Sequence, residues 1–337
     1  MKYTILIIVL NFAAGSVSAQ WMKQIVNTTA SFRGVSVVGD RTVWASGTDG
    51  TVIRTTDSGK TWKVIRVPGA ADLDFRDIEA FSGNTAYVLS IGNGDKSRIY
   101  KTVNGGDTWT LQFTNRNEKA FFNAIACWDQ NNCVAMSDPV DGRFILVSTS
   151  DGTNWSQPGS DRRTLPMVAL EGEVAFAASG TCLVAYGKTD LYLVTGGSEA
   201  RVFSSKDRGL SWTIATPPMI KGSPGSGIFS IAMANKDFGI IVGGDYEKPE
   251  LAERNVAVTV DGGFIWAARA GLTGYRSGVV FIDPKTVIAV GPNGTDMSSD
   301  QGVSWRRISS EHLNAIDAKG PTSVWAVGPN GTVVRLR

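Results

Sequence analysis

The residue types that most often carry enzymatic or metal chemistry are scarce in this sequence. Its 337 residues include one histidine, His312, and three cysteines. A single imidazole excludes a zinc site built from several histidines and any mechanism that needs two imidazoles. The sequence contains no Walker loop and no metal-spaced Cys/His cluster. We therefore expect no cofactor and no metal, and the candidate chemistry falls to arginines and carboxylates.

Three arginines occupy matched places in apolar stretches that recur along the chain. Alignment puts Arg33, Arg76 and Arg276 at the second position of their stretches, which in the other copies holds Phe122, Val174, Ile228 and Leu313. Three guanidinium groups in one region repel one another, and they suit an anion such as a carboxylate, a phosphate or an acidic peptide. An alternative is that each arginine pairs with a nearby acid, such as Asp77 or Glu79, or is solvated.

Two polar loops supply further candidates. The stretch SDPVDGR contains Asp138 and Arg143, and GGDYEKPELAERN contains Asp245, Tyr246 and Glu247. Long loops on a rigid scaffold are frequent sites of function. We expect Arg143 and Asp245 to join the three arginines in holding a ligand. The alternative is that these are solvated polar loops.

A third stretch, YGKTDLYLVTGGSEAR, is long enough to fold over the same end of the molecule. It contains Lys188, Tyr192 and Glu199. His312 begins the last of the recurring apolar stretches. A lone histidine at such a place is more often structural or solvated than catalytic, so we assign it no catalytic role.

A repeat predicts the elements that position these residues. Six stretches follow the pattern Ser/Thr-x-Asp-x-Gly-x-Ser/Thr-Trp, and they end at Trp62, Trp109, Trp155, Trp212, Trp266 and Trp305. Their acid position holds Asp57, Asn104, Asp207, Asp261 and Asp300, and in the third copy Ser150 with Asp151 beside it. The acid can accept backbone N–H groups in a tight turn, and the glycine allows a positive φ.

This pattern resembles the Asp-box, or BNR, repeat, which closes the hairpin between the third and outermost strands of a propeller blade. Around each box, four stretches rich in β-branched residues recur between Gly, Asp and Asn. The resemblance implies an all-β propeller of four-stranded antiparallel blades. It also implies that the boxes are structural and lie on one face, while the three arginines lie at the channel mouth on the other.

The two chain ends predict the number of blades. SVWAVGPNGTVVRLR near the C-terminus repeats TVWASGTDGTVIRTT and stops where a seventh box would begin. Near the N-terminus, Trp21 starts WMKQIV, which matches the strand after a box. An N-terminal outer strand and three C-terminal strands would together form the seventh blade and close the ring. We predict one seven-bladed domain over residues 20–337.

Residues 1–19 have the pattern of a secretory signal peptide, with an apolar run after Lys2 and small residues up to Ala19. Cleavage would release a periplasmic or extracellular protein without a membrane span. Export permits disulfides, and Cys127 and Cys133 bracket a short turn that suits either a disulfide or two free thiols. The 33 basic and 31 acidic side chains nearly balance, which excludes a polybasic nucleic-acid binder.

The blade count, the short blades, the closure by both termini and the arginine cluster resemble the photosystem II stability/assembly factor family. The resemblance implies a non-catalytic, exported scaffold that holds a protein partner, with Arg33, Arg76 and Arg276 on its binding surface. We expect a monomer that binds a protein partner or a small anion. Sialidases are similar in their Asp boxes and arginine triad, but they have six blades. They also use a Tyr nucleophile activated by a Glu, and an Asp as the acid. This resemblance implies those roles for Tyr246, Glu247 and Asp138, with Tyr192 and Glu199 as a second possible Tyr/Glu pair. The alternative function is therefore a glycoside hydrolase acting on carboxylated or neutral glycans.

Overall fold

The computed structural model describes residues 20–157 and 167–337, so the predicted signal peptide lies outside the described residues. The described chain forms seven antiparallel blades around a central channel, as the sequence predicts. Its one helical element in these ranges is a 3-10 turn at Gly94–Lys96. None of the helical structure described is long and apolar enough to cross a membrane.

Blades one and two are regular four-stranded sheets. After β1 (Trp21–Lys23), blade one contains β2 (Phe32–Val37), β3 (Val43–Gly47), β4 (Thr51–Thr55) and β5 (Lys63–Arg66). Blade two contains β6 (Phe75–Ala80), β7 (Ala86–Ser90), β8 (Arg98–Thr102) and β9 (Thr110–Thr114). The second strands, β3 and β7, are buried along their whole length. Their Val, Ala and aromatic residues are therefore packed on both faces by neighbouring blades.

Blades three and four differ from this pattern at their edges. Blade three contains β10 (Phe122–Asp129), β11 (Asn132–Val140) and β12 (Arg143–Thr149), and one bridge from Ser148 to Ser156 marks its outer edge. A disulfide joins Cys127 to Cys133 across the β10–β11 hairpin, and Cys182 is a buried thiol. After β13 (Glu173–Val174), blade four contains β14 (Leu183–Tyr186), β15 (Asp190–Val194), β17 (Val202–Ser205) and β18 (Thr213–Ala215).

Blade five carries two additional short strands on its inner side. These are β13 and β16 (Gly196–Gly197), which precede β19 (Ser226–Met233), β20 (Gly239–Asp245), β21 (Val256–Thr259) and β22 (Ala267–Arg269) in the sheet. The alignment predicts that Val174 belongs to the innermost strand of blade four. In the structure, Val174 pairs instead with Gly196, in the sheet of blade five. Blade six contains β23 (Gly278–Phe281), β24 (Val287–Gly291), β25 (Gly294–Ser298) and β26 (Arg306–Ser309).

Both chain ends build blade seven and close the ring. The C-terminal strands are β27 (Ala315–Ala318), β28 (Val324–Val327) and β29 (Val333–Leu336). β1 pairs antiparallel with β29, so that Trp21 lies opposite Leu336 and Lys23 opposite Val334. The predicted closure is thus confirmed, and the pairing removes two exposed sheet edges.

The Asp boxes hold the outer hairpins on the face opposite the mouth. Asp57 accepts hydrogen bonds from Thr55 Oγ1 and Thr61 N on one oxygen and from Thr61 Oγ1 on the other. These bonds lower the pKa of Asp57 to about 2. The same turn recurs at Asn104, Asp151, Asp207, Asp261 and Asp300.

Box tryptophans pack onto the preceding blade. Trp62 lies edge-on against Trp325 of blade seven, with 5.7 Å between ring centroids, and Trp109 lies edge-on against Trp44 of blade one at 6.4 Å. Trp155, Trp212, Trp266 and Trp305 are likewise at least partly buried in core clusters. Each box therefore connects two blades, which gives it a structural role.

Candidate functional site

The innermost strands begin with β-bulges that face the channel. Register shifts fall at Arg33, Arg76, Asn123 and Phe229. Ser277 and Asn314 take the equivalent place in blades six and seven. Ser277 N donates to the carbonyl of Val290, which already pairs with the next residue, Gly278. Asn314 N likewise donates to Val327, which pairs with Ala315. A bulge redirects a side chain out of the regular pleat. Five of these residues line one cavity at the channel mouth: Arg33, Arg76, Phe229, Ser277 and Asn314.

The prediction that Arg276 belongs to this set is wrong. Arg276 lies one residue before the bulge position, where other blades carry side chains that are at most 1% exposed: Phe32, Phe75, Phe122, Ile228 and Leu313. Arg276 is itself 0% exposed and pairs with Asp296, 2.7 Å away. Its other N–H groups donate to Thr273 Oγ1, Tyr275 O and Asn293 Oδ1. No donor of this guanidinium is left for a ligand.

Arg33 and Arg76 do meet in the mouth cavity, which has a volume of about 340 Å³. Arg76 Nε is 2.7 Å from Asp74 Oδ2, and its Nη1 donates to Ala177 O. Arg33 Nη1 makes a long hydrogen bond of 3.4 Å to Ala178 O, and no acid of the described chain forms an ion pair with it. The acids expected near these arginines, Asp77 and Glu79, do not pair with them.

The electrostatics of the mouth disfavour the charge on Arg33. Burial, and then the charge of Arg76, lower the pKa of Arg33. Burial and Arg33 also lower the pKa of His312, which lines the same cavity, and so favour its neutral form. Arg33 is therefore a partly buried cation that has no ion-pair partner among the described residues.

The floor of the cavity is a segment that crosses the channel, residues 175–182, which we call the plug. Ala177 and Ala178 line the cavity above it. Ser179 Oγ donates to Ser277 O at 2.6 Å, and Thr181 Oγ1 lies 2.6 Å from Ser230 Oγ. The plug is thus fixed to blades five and six. The mouth is a blind cavity rather than the entrance to an open channel.

A second cavity of about 200 Å³ lies on the other side of the plug. Asp77, Glu79 and Asp317 line it, and Asp77 and Asp317 each accept a backbone N–H from the innermost strand of the next blade, at Ile125 and Val37. Burial raises the pKa of Asp77 to about 7 and that of Asp317 to about 6. These carboxylates connect blades.

Aromatic side chains form the apolar wall of the mouth. Phe176 and Phe229 stack in parallel with 3.9 Å between centroids, and Tyr275 lies edge-on to Phe229 at 4.6 Å. Tyr246 lies edge-on to both phenylalanines at 6.3 Å. Sequence reasoning identified Tyr246 but missed the other three. Of these, only Phe176 has a sequence signal, the FAASGT stretch that adds residues ahead of the innermost strand of blade four.

The remaining predicted residues do not share this cavity. Asp138 accepts hydrogen bonds from Asn123 Nδ2 and Ala175 N, and burial raises its pKa to about 6. Asp245 is 2% exposed and accepts from Ser223 Oγ and Glu247 N, which makes it a turn cap. Arg143 is exposed beside the β11–β12 turn, away from the residues that line the mouth.

The alternative catalytic sets are not assembled either. Tyr246 lines the mouth, whereas Glu247 and Asp138 do not. Tyr192 is fully buried in β15, Glu199 pairs with Lys221 at 2.6 Å, and no residue of this stretch lines the mouth cavity. Lys188 lies in the turn between β14 and β15, at the far end of the strands from the mouth.

Solved structures show what this ring is similar to. YCF48 bound to a D1 peptide aligns with a TM-score of 0.67 and 15% identity, over 94% of this chain and 96% of that one. The fold resembles that of YCF48. A second YCF48 structure, from Cyanidioschyzon merolae, aligns with a TM-score of 0.66 and 17% identity, over 94% and 98% of the two chains.

A catalytic propeller shares the fold as well. The GH74 xyloglucanase from Xanthomonas campestris aligns with a TM-score of 0.62 and 16% identity, over 94% of this chain and 53% of that one. No protein-family model and no curated protein matches the sequence. The resemblance to an assembly-factor-like propeller that the sequence predicts is confirmed at the level of the fold.

Proposed function

We propose that this chain is an exported, monomeric, non-catalytic binding propeller that holds an anionic group of a protein partner at the channel mouth. The observation that carries the proposal is Arg33, a half-buried guanidinium with no acid partner in the described chain and with Arg76 beside it. Burying a charge without a counterion is unfavourable. A carboxylate placed between the two arginines would relieve both the desolvation and the repulsion.

The geometry suits a carboxylate in particular. Arg33 uses one of its donors on Ala178 O, so its remaining N–H groups can form the paired hydrogen bonds that a planar carboxylate accepts. Arg76 keeps its Nη2 group free of hydrogen bonds to the described chain, while Asp74 fixes its Nε. The YCF48 propeller bound to a D1 peptide supports the idea that this ring architecture suits a protein-binding role.

Titration with a short acidic peptide tests this proposal. Calorimetry would compare tetraglutamate with tetraglutamine on the wild-type chain, on Arg33→Gln/Arg76→Gln and on Arg66→Gln/Arg306→Gln. The control pair is exposed on outer strands and removes the same net charge. We expect the mouth variant to lose about tenfold or more in affinity for tetraglutamate, and the control to lose little. Equal losses in both variants would contradict a mouth site.

A glycoside hydrolase is the second candidate, because Tyr246 shares a cavity wall with both arginines. Turnover of fluorogenic sialosides and β-glucosides tests it. We expect no turnover, since Glu247 and Asp138 lie outside that wall. A rate that Tyr246→Phe or Glu247→Gln abolishes would establish the enzyme and displace the binding function.

A further inference from the structure

The chemical class of ligand can be narrowed further, on the basis of the proposed binding function. The mouth holds about 340 Å³, near the lower limit of the ~300–1,000 Å³ range of small-molecule pockets. The plug closes it below. A blind cavity of this size accommodates one or two residues or a small molecule. It does not accommodate a folded acidic surface or a chain that passes through the ring.

Part of the cavity wall is apolar, and packed aromatic side chains form it. Phe229 is 2% exposed and anchors Phe176 through their parallel stack. Tyr246 stands perpendicular to that stack and keeps 49% of its surface exposed. Phe176 and Tyr246 therefore form a corner with unused apolar surface beside the arginines. A receptor for a bare anion such as phosphate does not need this surface.

Charge and aromatic surface meet at one point. Arg33 and Tyr275 line the same cavity, and Tyr275 packs edge-on against Phe229. An acid bound to Arg33 is consequently within a few bonds of the aromatic corner.

We propose that the mouth binds a carboxylate joined through a short apolar link to an aromatic or large aliphatic group. Arg33, assisted by Arg76, holds the carboxylate. Phe176 and Tyr246 receive the apolar group, while Ala177 and Ala178 of the plug stop it from going deeper. Two sources offer this chemistry: the last residue of a peptide with a free carboxyl end, and a free aromatic or branched acid.

Titration with matched small acids tests the inference. The probes are 3-phenylpropionate, its uncharged amide and acetate, which separate the charge from the ring. We expect 3-phenylpropionate to bind about tenfold or more tightly than either of the others. A tripeptide ending in Phe, with a free or an amidated end, distinguishes the sources. If the free-ended peptide binds more tightly than both the amidated peptide and 3-phenylpropionate, the ligand is a chain end. If the free-ended peptide binds no more tightly than 3-phenylpropionate, the ligand is a free acid.

Variants then assign the two halves of the site. Tyr246→Ser and Phe176→Leu should narrow the difference between 3-phenylpropionate and acetate, and Arg33→Gln should weaken both acids. Phe264→Ser is the matched control, because Phe264 is 54% exposed in the fifth Asp box on the opposite face. It should leave both affinities unchanged.

The outcomes separate this inference from the proposed function. If acetate binds as tightly as 3-phenylpropionate while tetraglutamate still depends on the two arginines, the ligand class is wrong and the binding function stands. If no carboxylate binds in a manner that depends on Arg33 or Arg76, both the inferred ligand class and the proposed binding function are wrong.

Discussion

Arg276 and Asp296 form an ion pair of 2.7 Å in which both side chains are 0% exposed. Arg276 occupies a position that is apolar in the neighbouring blades five and seven, at Ile228 and Leu313. Removing one partner of such a pair leaves an uncompensated buried charge, whereas replacing both with apolar residues is often neutral. The pair therefore serves the packing of blade six.

We expect Arg276→Ala to lower the free energy of unfolding by about 3–5 kcal/mol. The double change Arg276→Met/Asp296→Leu should recover most of that loss, because it leaves no buried charge. Chemical denaturation followed by tryptophan fluorescence measures both. Arg33→Gln is the control and should have little effect. Equal destabilisation by Arg276→Ala and Arg33→Gln would contradict this account.

The fifth Asp box lacks one hydrogen bond that other boxes make. Thr61, Ser211 and Ser304 each donate a side-chain hydroxyl to the box acid at 2.6 Å, but blade five has Ile265 there, 72% exposed. We expect Ile265→Thr to stabilise the protein by about 0.5 kcal/mol, since it adds the bond to Asp261 and removes exposed apolar surface. Thr61→Val should lower the stability of the protein, because it removes the corresponding bond to Asp57. The change in melting temperature of each variant measures these effects. A lower melting temperature for Ile265→Thr would be inconsistent with this role of the hydroxyl.

The carboxylates below the plug predict an unusual pH dependence. Burial raises the pKa of Asp77 to about 7, from an ordinary value of 3.8. The folded state thus binds more protons than the unfolded state between these values, so the stability from Asp77 is complete below pH ~4 and is lost as pH rises through 7. Asp77→Asn should flatten the fall in melting temperature between pH 5 and pH 8.

Asp57→Asn is the control for this pH series. The pKa of Asp57 is lowered to about 2, so its contribution changes below pH ~4 and leaves the slope near neutrality unaltered. An unchanged slope between pH 5 and pH 8 in Asp77→Asn would show that Asp77 does not cause it.

The plug contains a glycine, Gly180, that packs so closely against Asp77 that there is no room for a side chain. Gly180 has a φ of 79°, and a Cβ there would lie 2.3 Å from Asp77 Oδ1. We expect Gly180→Ala to move the plug, lower stability and weaken acid binding at the mouth, because Ala177 and Ala178 accept from Arg76 and Arg33. Gly187→Ala is the matched control, since its φ is 61° and nothing lies within 4 Å.

Gly187→Ala should show the backbone strain of a positive φ, about 1 kcal/mol, without loss of binding. Calorimetry with 3-phenylpropionate or tetraglutamate and thermal melts measure the two effects separately. If both glycine variants keep wild-type binding, the plug does not support the arginines.

Local sequence patterns determined the ring. A box whose acid, glycine and tryptophan each have a turn-specific task defines a hairpin wherever it occurs, so six boxes and two matching chain ends predict seven blades and their closure. The same locality explains why Asp57 and Asp300 were assigned correctly: their partners lie within four residues along the chain.

Tertiary structure decided the site, because its contacts are made between blades. A bulge changes the direction of a side chain without changing the residue order. The sequence alignment therefore matches Arg276 to Arg33 and Arg76, whereas the structure places Arg276 one position earlier. The plug brings Phe176 to Phe229 across 53 residues of sequence, and no local pattern records that approach. Which arginine stays unpaired depends on Asp74 and Asp296, whose positions only the packed ring fixes.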